Sequence, residues 1–141
     1  MISTRGRYAV RIMIDLAEHR GNGYIPLKEI AKRQEISLKY IEKFVPELSR
    51  AGLVESIHGK GGGYRLCRNP EDYNVGEILR LTEGDMAPVA CLCDGAEPCP
   101  RVSECKTLPM WRDYYKMTLD YFRGIKLSDL VGTPTGGDYV I

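Results

Sequence analysis

The sequence predicts a mostly α-helical chain with one small β-hairpin, and three observations carry that expectation. Apolar residues recur at three and four positions through Tyr8, Ala9, Ile12, Met13, Leu16 and Ala17, the signature of a helix with one buried face. Two further stretches of helical spacing follow in tight succession, and then LVESI and YRL, separated by HGKGGG, read as two strands around a basic, glycine-rich tip. At 141 residues with 43% hydrophobic side chains, the chain is long enough for one core.

Taken in order, the first helix runs from Thr4 and is ended by Gly21-Asn22-Gly23. Tyr24-Ile25-Pro26 is extended, and LKEIAKRQ places Leu27, Ile30 and Ala31 on one face of a two-turn helix. After a turn at Glu35-Ile36, Ser37 caps SLKYIEKFVPELSRAG, with Leu38, Ile41, Val45 and Leu48 as its buried face and Lys39, Tyr40, Glu42 and Lys43 exposed. Pro46 removes the backbone bond to Glu42, which predicts a kink or an end to the first segment there. Beyond the hairpin, Asn74 caps a short helix through VGEILRLTEG, and Thr107 caps a long one, PMWRDYYKMTLDYFRGI. There Trp111, Tyr115, Thr118, Phe122 and Ile125 form an aromatic stripe with Tyr114, Met117 and Tyr121 beside it, too wide for solvent, which points to a second copy of the chain as its cover. KLSDLV reads as a last short helix and GTPTGGDYVI as a mobile tail.

Two short helices followed by a β-hairpin is the order of a winged helix-turn-helix, whose second helix enters the DNA major groove while the hairpin lies along the backbone or minor groove. The expected division is a winged domain over 1–83, a cysteine-rich loop over 84–106, a dimerisation helix region over 107–131 and the tail over 132–141. Net charge is only +1, yet residues 1–65 carry 12 Lys and Arg against 7 Asp and Glu, and residues 66–141 carry 8 against 12. A basic front half suits a polyanion, double-stranded DNA above all. Ser37, Lys39, Tyr40 and Glu42 are the candidate base readers; Arg5, Arg7, Lys28, His58 and Lys60 are the candidate contacts to the DNA backbone. GKGGG lacks the pattern of a nucleotide-phosphate loop and precedes a strand rather than a helix.

CLCDGAEPCPRVSEC packs four of five cysteines into residues 91–105. The N-terminal stretch has no uncharged apolar run of signal-peptide length and nothing approaches the roughly 18 apolar residues of a membrane span, so the expected location is the cytoplasm, with no membrane partner. In a reducing compartment such a group points to metal or thiol chemistry before disulfides. Iron-sulfur, zinc with Cys91 as a fourth ligand, and thiol redox sensing stay open on residue type alone. A redox enzyme using Cys91 and Cys93 lacks both C-x-x-C and a cofactor fingerprint, and no enzyme is expected.

From Ser3 to Val131 the chain resembles the Rrf-two family of winged-helix regulators, in its iron-sulfur cluster regulator branch. The shared pieces are GRYAV at Gly6–Val10, ISLKYIEK at Ile36–Lys43, GLVES at Gly52–Ser56, GGGYRL at Gly61–Leu66, VGEIL at Val75–Leu79 and WRD at Trp111–Asp113. The resemblance implies a homodimeric transcription regulator with Glu42 at the family's specificity-setting position. It also implies an iron-sulfur cluster, two-iron favoured over four-iron, on Cys93, Cys99 and Cys105, whose C-x5-C-x5-C spacing is that of the family's cluster ligands. Such a protein senses cluster supply, oxygen or nitric oxide. In that branch a histidine three residues past the last cysteine completes the ligand set, and here that position is Leu108; in the nitric-oxide branch an acidic residue of the first helix does so, where this chain has Arg7 and Tyr8. The fourth ligand therefore stays open, with Cys91 the nearest spare thiol and an oxygen or nitrogen ligand from a partner subunit the alternative. Cys67 is expected to be an ordinary half-buried residue. The other expectation within the family is a cluster-free regulator of the cysteine-metabolism type, controlled by a partner or by thiol oxidation.

Overall fold

The structure is a computed structural model and describes residues 1–132, so the predicted tail, Gly132 apart, lies outside the described residues. Its helices are α1 (Thr4–Glu18), α2 (Leu27–Gln34), α3 (Leu38–Arg50), α4 (Val75–Glu83), α5 (Leu108–Arg123) and α6 (Leu127–Leu130), with strands β1 (Val54–Ile57) and β2 (Gly63–Leu66) between α3 and α4. Mostly helical with one antiparallel hairpin, this is the fold class the spacing predicts.

Ser3 caps α1 by accepting from the Gly6 N–H at 3.0 Å. Ala9, Ile12, Met13 and Leu16 carry its buried face into the core, where they meet Ile30 of α2 and Ile41, Val45 and Leu48 of α3. A carboxylate sits in that core. Asp15 accepts from Arg33 Nε at 3.0 Å, Arg33 Nη2 at 2.8 Å and Gln34 Nε2 at 2.9 Å. The Asp15 contact raises the Arg33 guanidinium above its ordinary pKa. These bonds fix α2 against α1, and Glu35, in the left-handed region at φ 55°, turns the chain into α3.

Helix α3 runs unbroken through Pro46, against the expectation of an end there. Only the Pro46-to-Glu42 bond is lost, and the buried Val45 and Leu48 hold the turns on either side of it in the core. Two other expectations for α3 are corrected. Leu38 is exposed rather than buried, because the first residue of the helix lies beyond the edge of the core, and Phe44 takes the buried position instead. Tyr40 is half-buried rather than exposed, its ring edge-on to Tyr8 at 5.6 Å and to Phe44 at 5.3 Å.

The hairpin pairs Val54 with Leu66 through Ile57 with Gly63, and Ile25 adds a third edge by exchanging bonds with Tyr64 at 2.8 and 2.9 Å. Gly63 has to be glycine, since a Cβ there would stand 2.4 Å from the Ile25 carbonyl. At the root of the wing the buried Tyr73 hydroxyl donates to the Leu53 carbonyl at 2.6 Å and accepts from the Cys67 and Arg68 N–H groups at 2.9 and 3.1 Å. Asn74 caps α4 in a reciprocal box with Glu77. The C-terminal segment folds back on this corner, with Val75 N–H on Ile125 O at 2.8 Å and Leu127 N–H on Tyr73 O at 3.0 Å, which seats Leu127 in the core. Thr107 stands at the N-terminal boundary of α5 but makes no side-chain cap, contrary to expectation, because its hydroxyl is engaged with Cys105.

Candidate nucleic-acid interface and cysteine loop

Ser37 opens α3, its hydroxyl accepting from the Tyr40 N–H at 3.3 Å. From that first turn Ser37, Leu38, Lys39, Glu42 and Lys43 are exposed on one side of the helix. Tyr40, committed to the aromatic contact with Tyr8 and Phe44, offers its edge rather than its whole ring. His58 and Lys60 are exposed at the wing tip, where Gly59 and Gly61 take φ of 88° and 78° and let the turn close without side chains. Lys28 is exposed in the first turn of α2. Arg7 is exposed beside Thr4, with Nη2 on its hydroxyl at 3.0 Å. Arg5 is half-buried and paired with Glu47 of α3, a partner that spacing alone did not suggest.

Between α4 and α5 the chain has no regular structure beyond a single 3-10 turn at Ala90–Leu92. Cys91 and Cys93 are exposed, Cys99 and Cys105 half-buried, and all are free thiols. The hydroxyl of Thr107, 3.5 Å from Cys105 Sγ, holds that thiol below its usual range. Cys67 is exposed rather than half-buried, and what burial it has pushes its thiol up. Among the described residues no three His, Cys, Asp or Glu side chains are gathered closely enough to hold a metal, so Cys93, Cys99 and Cys105 share the loop without converging. As a donor set they still fit an iron-sulfur cluster. Thiolates are its usual ligands, and a segment without α-helix or strand can close around one without unfolding a helix. Leu108, at the position of the family's histidine, is buried and points no donor at the loop.

The loop is fastened at its beginning. Asp85 accepts from the Ala87 N–H at 2.9 Å and the Asp94 N–H at 2.7 Å, bonds that hold its carboxyl below the ordinary range. The Asp85 carbonyl accepts from the Tyr115 hydroxyl of α5 at 2.5 Å, and Arg80 of α4 pairs with Asp94 at 2.5 Å. Trp111, Tyr115, Thr118, Phe122 and Ile125 are all half-buried. The uncovered apolar face of α5 is the neighbouring one, Met110, Tyr114, Met117 and Tyr121, with Met117 at 68% and Tyr121 at 66% exposure. Among the described residues no helix is long and apolar enough to cross a membrane.

A helix-turn-helix with an exposed first turn on its second helix, a basic wing and an appended long helix is the architecture of a winged-helix DNA-binding regulator. The family model Rrf2, described as an iron-dependent transcriptional regulator, matches residues 2–133, and the chain belongs to that family. It is 39% identical over 130 residues to the HTH-type transcriptional regulator IscR of Aliivibrio salmonicida, covering 92% of this chain and 76% of the relative. The IscR of Pectobacterium atrosepticum is 38% identical, with 92% and 78% covered. Among solved structures, CymR, the global cysteine regulator of B. subtilis, superposes with a TM-score of 0.74 at 37% identity, covering 93% of this chain and 95% of that one. T. potens IscR does so with 0.74 at 33%, covering 100% and 93%. The family and these relatives are regulators of transcription, not enzymes.

Proposed function

We propose that this chain is a homodimeric repressor or activator that reads a roughly palindromic operator and senses cluster supply, oxygen or nitric oxide through an iron-sulfur cluster held by Cys93, Cys99 and Cys105. The observation that carries the reading is the C-x5-C-x5-C loop, anchored through Asp85 and Asp94 to the helices α4 and α5. When bound, a cluster supplies redox chemistry and sensitivity to oxygen and nitric oxide. The protein's part is to present three soft donors, with Cys91 or a ligand from the second subunit for the remaining site. Two copies joined through α5 would place two α3 helices in successive major grooves, about one helical turn or a multiple of it apart. Glu42 would accept from a cytosine amino group, while Arg5, Arg7, Lys28, His58 and Lys60 would position the protein on phosphates.

A second reading, a cluster-free regulator under thiol or partner control, is favoured by the ungathered free thiols and the likeness to CymR at 37% identity. The two separate on protein purified without oxygen. Visible charge-transfer absorption with iron and sulfide in equal amounts supports the first reading, with loss in the Cys93→Ala, Cys99→Ala and Cys105→Ala variants; colourless protein that still binds its operator supports the second.

A further inference from the structure

The apolar residues of α3 divide sharply. Ile41, Phe44, Val45 and Leu48 are at most 4% exposed, whereas Leu38 is 38% exposed. It is the first residue of the helix, one position after the Ser37 cap and one turn before Glu42, so Leu38 and Glu42 are neighbours on the same face. Helical side chains lean toward the N-terminus, which aims the isobutyl group of Leu38 out of the end of α3 that meets base edges. The other exposed residues of this end of α3 are polar, Ser37, Lys39, Glu42 and Lys43. Single exposed leucines are common on protein surfaces, but this one lies inside the patch that DNA binding must strip of water.

We propose that Leu38 is a specificity-determining residue that packs on the 5-methyl group of a thymine in each half-site. The major groove offers one apolar feature to a branched hydrocarbon, the thymine C5-methyl, and adenine, guanine and cytosine present only donors and acceptors there. Lys39 and Glu42 on either side would then read neighbouring pairs by hydrogen bonds, and Leu38 would add discrimination for thymine without one. This deepens the reading of α3 as the base-contacting helix and rests on it.

The test uses the full chain and a duplex enriched from a randomised pool. Each thymine of one half-site is replaced in turn by deoxyuridine, which lacks only the methyl group. Loss of one buried methyl contact, about 0.8 kcal/mol, corresponds to roughly fourfold in affinity. One position is expected to show that loss with the wild-type chain and none with Leu38→Ala, which itself loses about the same factor on the thymine duplex per half-site. Because Leu38 is exposed, Leu38→Ala should melt as the wild type does; Leu38→Gln, which can bond adenine, is expected to shift the enriched base at that position. If a sequence is enriched but no deoxyuridine position is suppressed by Leu38→Ala, the proposal is overturned while the DNA-reading stands. If no sequence is enriched at all, the reading of α3 falls, and the proposal with it.

Discussion

Replacing Asp15 by alanine should loosen the whole DNA-binding half, and the size of the loss follows from its contacts. The side chain is 1% exposed and takes three hydrogen bonds, two of them from the Arg33 guanidinium at 2.8 and 3.0 Å and one from Gln34 at 2.9 Å. Removing one partner of a fully buried ion pair costs about 3–5 kcal/mol. Arg33, however, keeps 32% of its side chain in solvent and a second carboxylate, Glu29, at 3.7 Å, so its stranded charge is partly rehydrated. That places Asp15→Ala near 2–4 kcal/mol, roughly, on a domain whose total is about 5–15. At about 2–4 °C per kcal/mol for a chain near this length, melting should fall by about 5–15 °C. Arg33→Ala should cost as much or more, because it leaves the buried carboxylate with only Gln34 at 2.9 Å and the His19 ring at 3.7 Å beside it. In a double-mutant cycle by urea denaturation, the pair should couple by at least about 1.5 kcal/mol. Coupling near zero, or a loss below about 0.5 kcal/mol for Asp15→Ala, would refute the claim that this carboxylate ties α2 to α1.

Tyr73→Phe strands the Cys67 and Arg68 N–H groups and the Leu53 carbonyl at the wing root, and should cost about 1–3 kcal/mol in denaturant without altering the folded-state spectrum. Met117→Glu with Tyr121→Glu, on the exposed face of α5, should give monomers in sedimentation and weaken operator binding while melting is nearly unchanged; an unchanged mass would move the interface elsewhere. Lys60→Ala should weaken binding to all duplexes alike and lower the salt slope by about one, whereas Glu42→Ala should relax preference at one base pair per half-site; equal effects on both would remove Glu42 from base reading.

How legible all this was differs by element. The first helix, the two short ones after it, the hairpin and α4 could be read because the helices' buried residues follow one period and the boundaries carry Ser37, Asn74 and glycines that act locally. Leu38 and Tyr40 defeated the same method. Periodicity assigns a face but not where the core stops, and on α3 the core begins only at Ile41, one turn past Leu38, while Tyr8 reaches over from α1 to cover Tyr40. On α5 apolar side chains line two adjacent faces, so sequence could not say which one its own chain would take. The half-buried stripe rests against the chain itself, leaving Met117 and Tyr121 outside. The cysteines were plain in sequence, but their fastening was not, since Asp85, Arg80 and Tyr115 carry no motif and meet only in three dimensions.

That fastening sets how a change in the loop can be felt elsewhere. A segment without helix or strand transmits little along its own length, because its turns relax independently; it transmits at the points where it is tied. Here those points are the Asp94 N–H on Asp85 and the Asp94 carboxylate on Arg80, one residue from Cys93. Any rearrangement that draws Cys93 toward Cys99 and Cys105 pulls on that residue first. From it the strain has two routes. One passes through the Asp85 carbonyl to Tyr115 and α5. The other runs through Arg80 into α4, whose Thr82 and Glu83 stand against the start of α1: a Cβ on Gly6 would lie 3.0 Å from Glu83 and 3.1 Å from Thr82. Glu83 also takes the Ser3 hydroxyl at 2.7 Å, so the cap of α1 is held by the helix the loop is tied to. Since Arg5, two residues on, is paired with Glu47 of α3, a series of polar contacts and tight packing joins the loop to α3. Breaking it at Arg80 should uncouple loop from α3 while leaving each intact: Arg80→Ala is expected to keep operator affinity yet lose most of its dependence on the state of the loop cysteines, measured as the ratio of dissociation constants for anaerobically reconstituted and air-oxidised protein. A ratio equal to that of the unaltered chain would rule this route out and leave Tyr115 and α5 as the path.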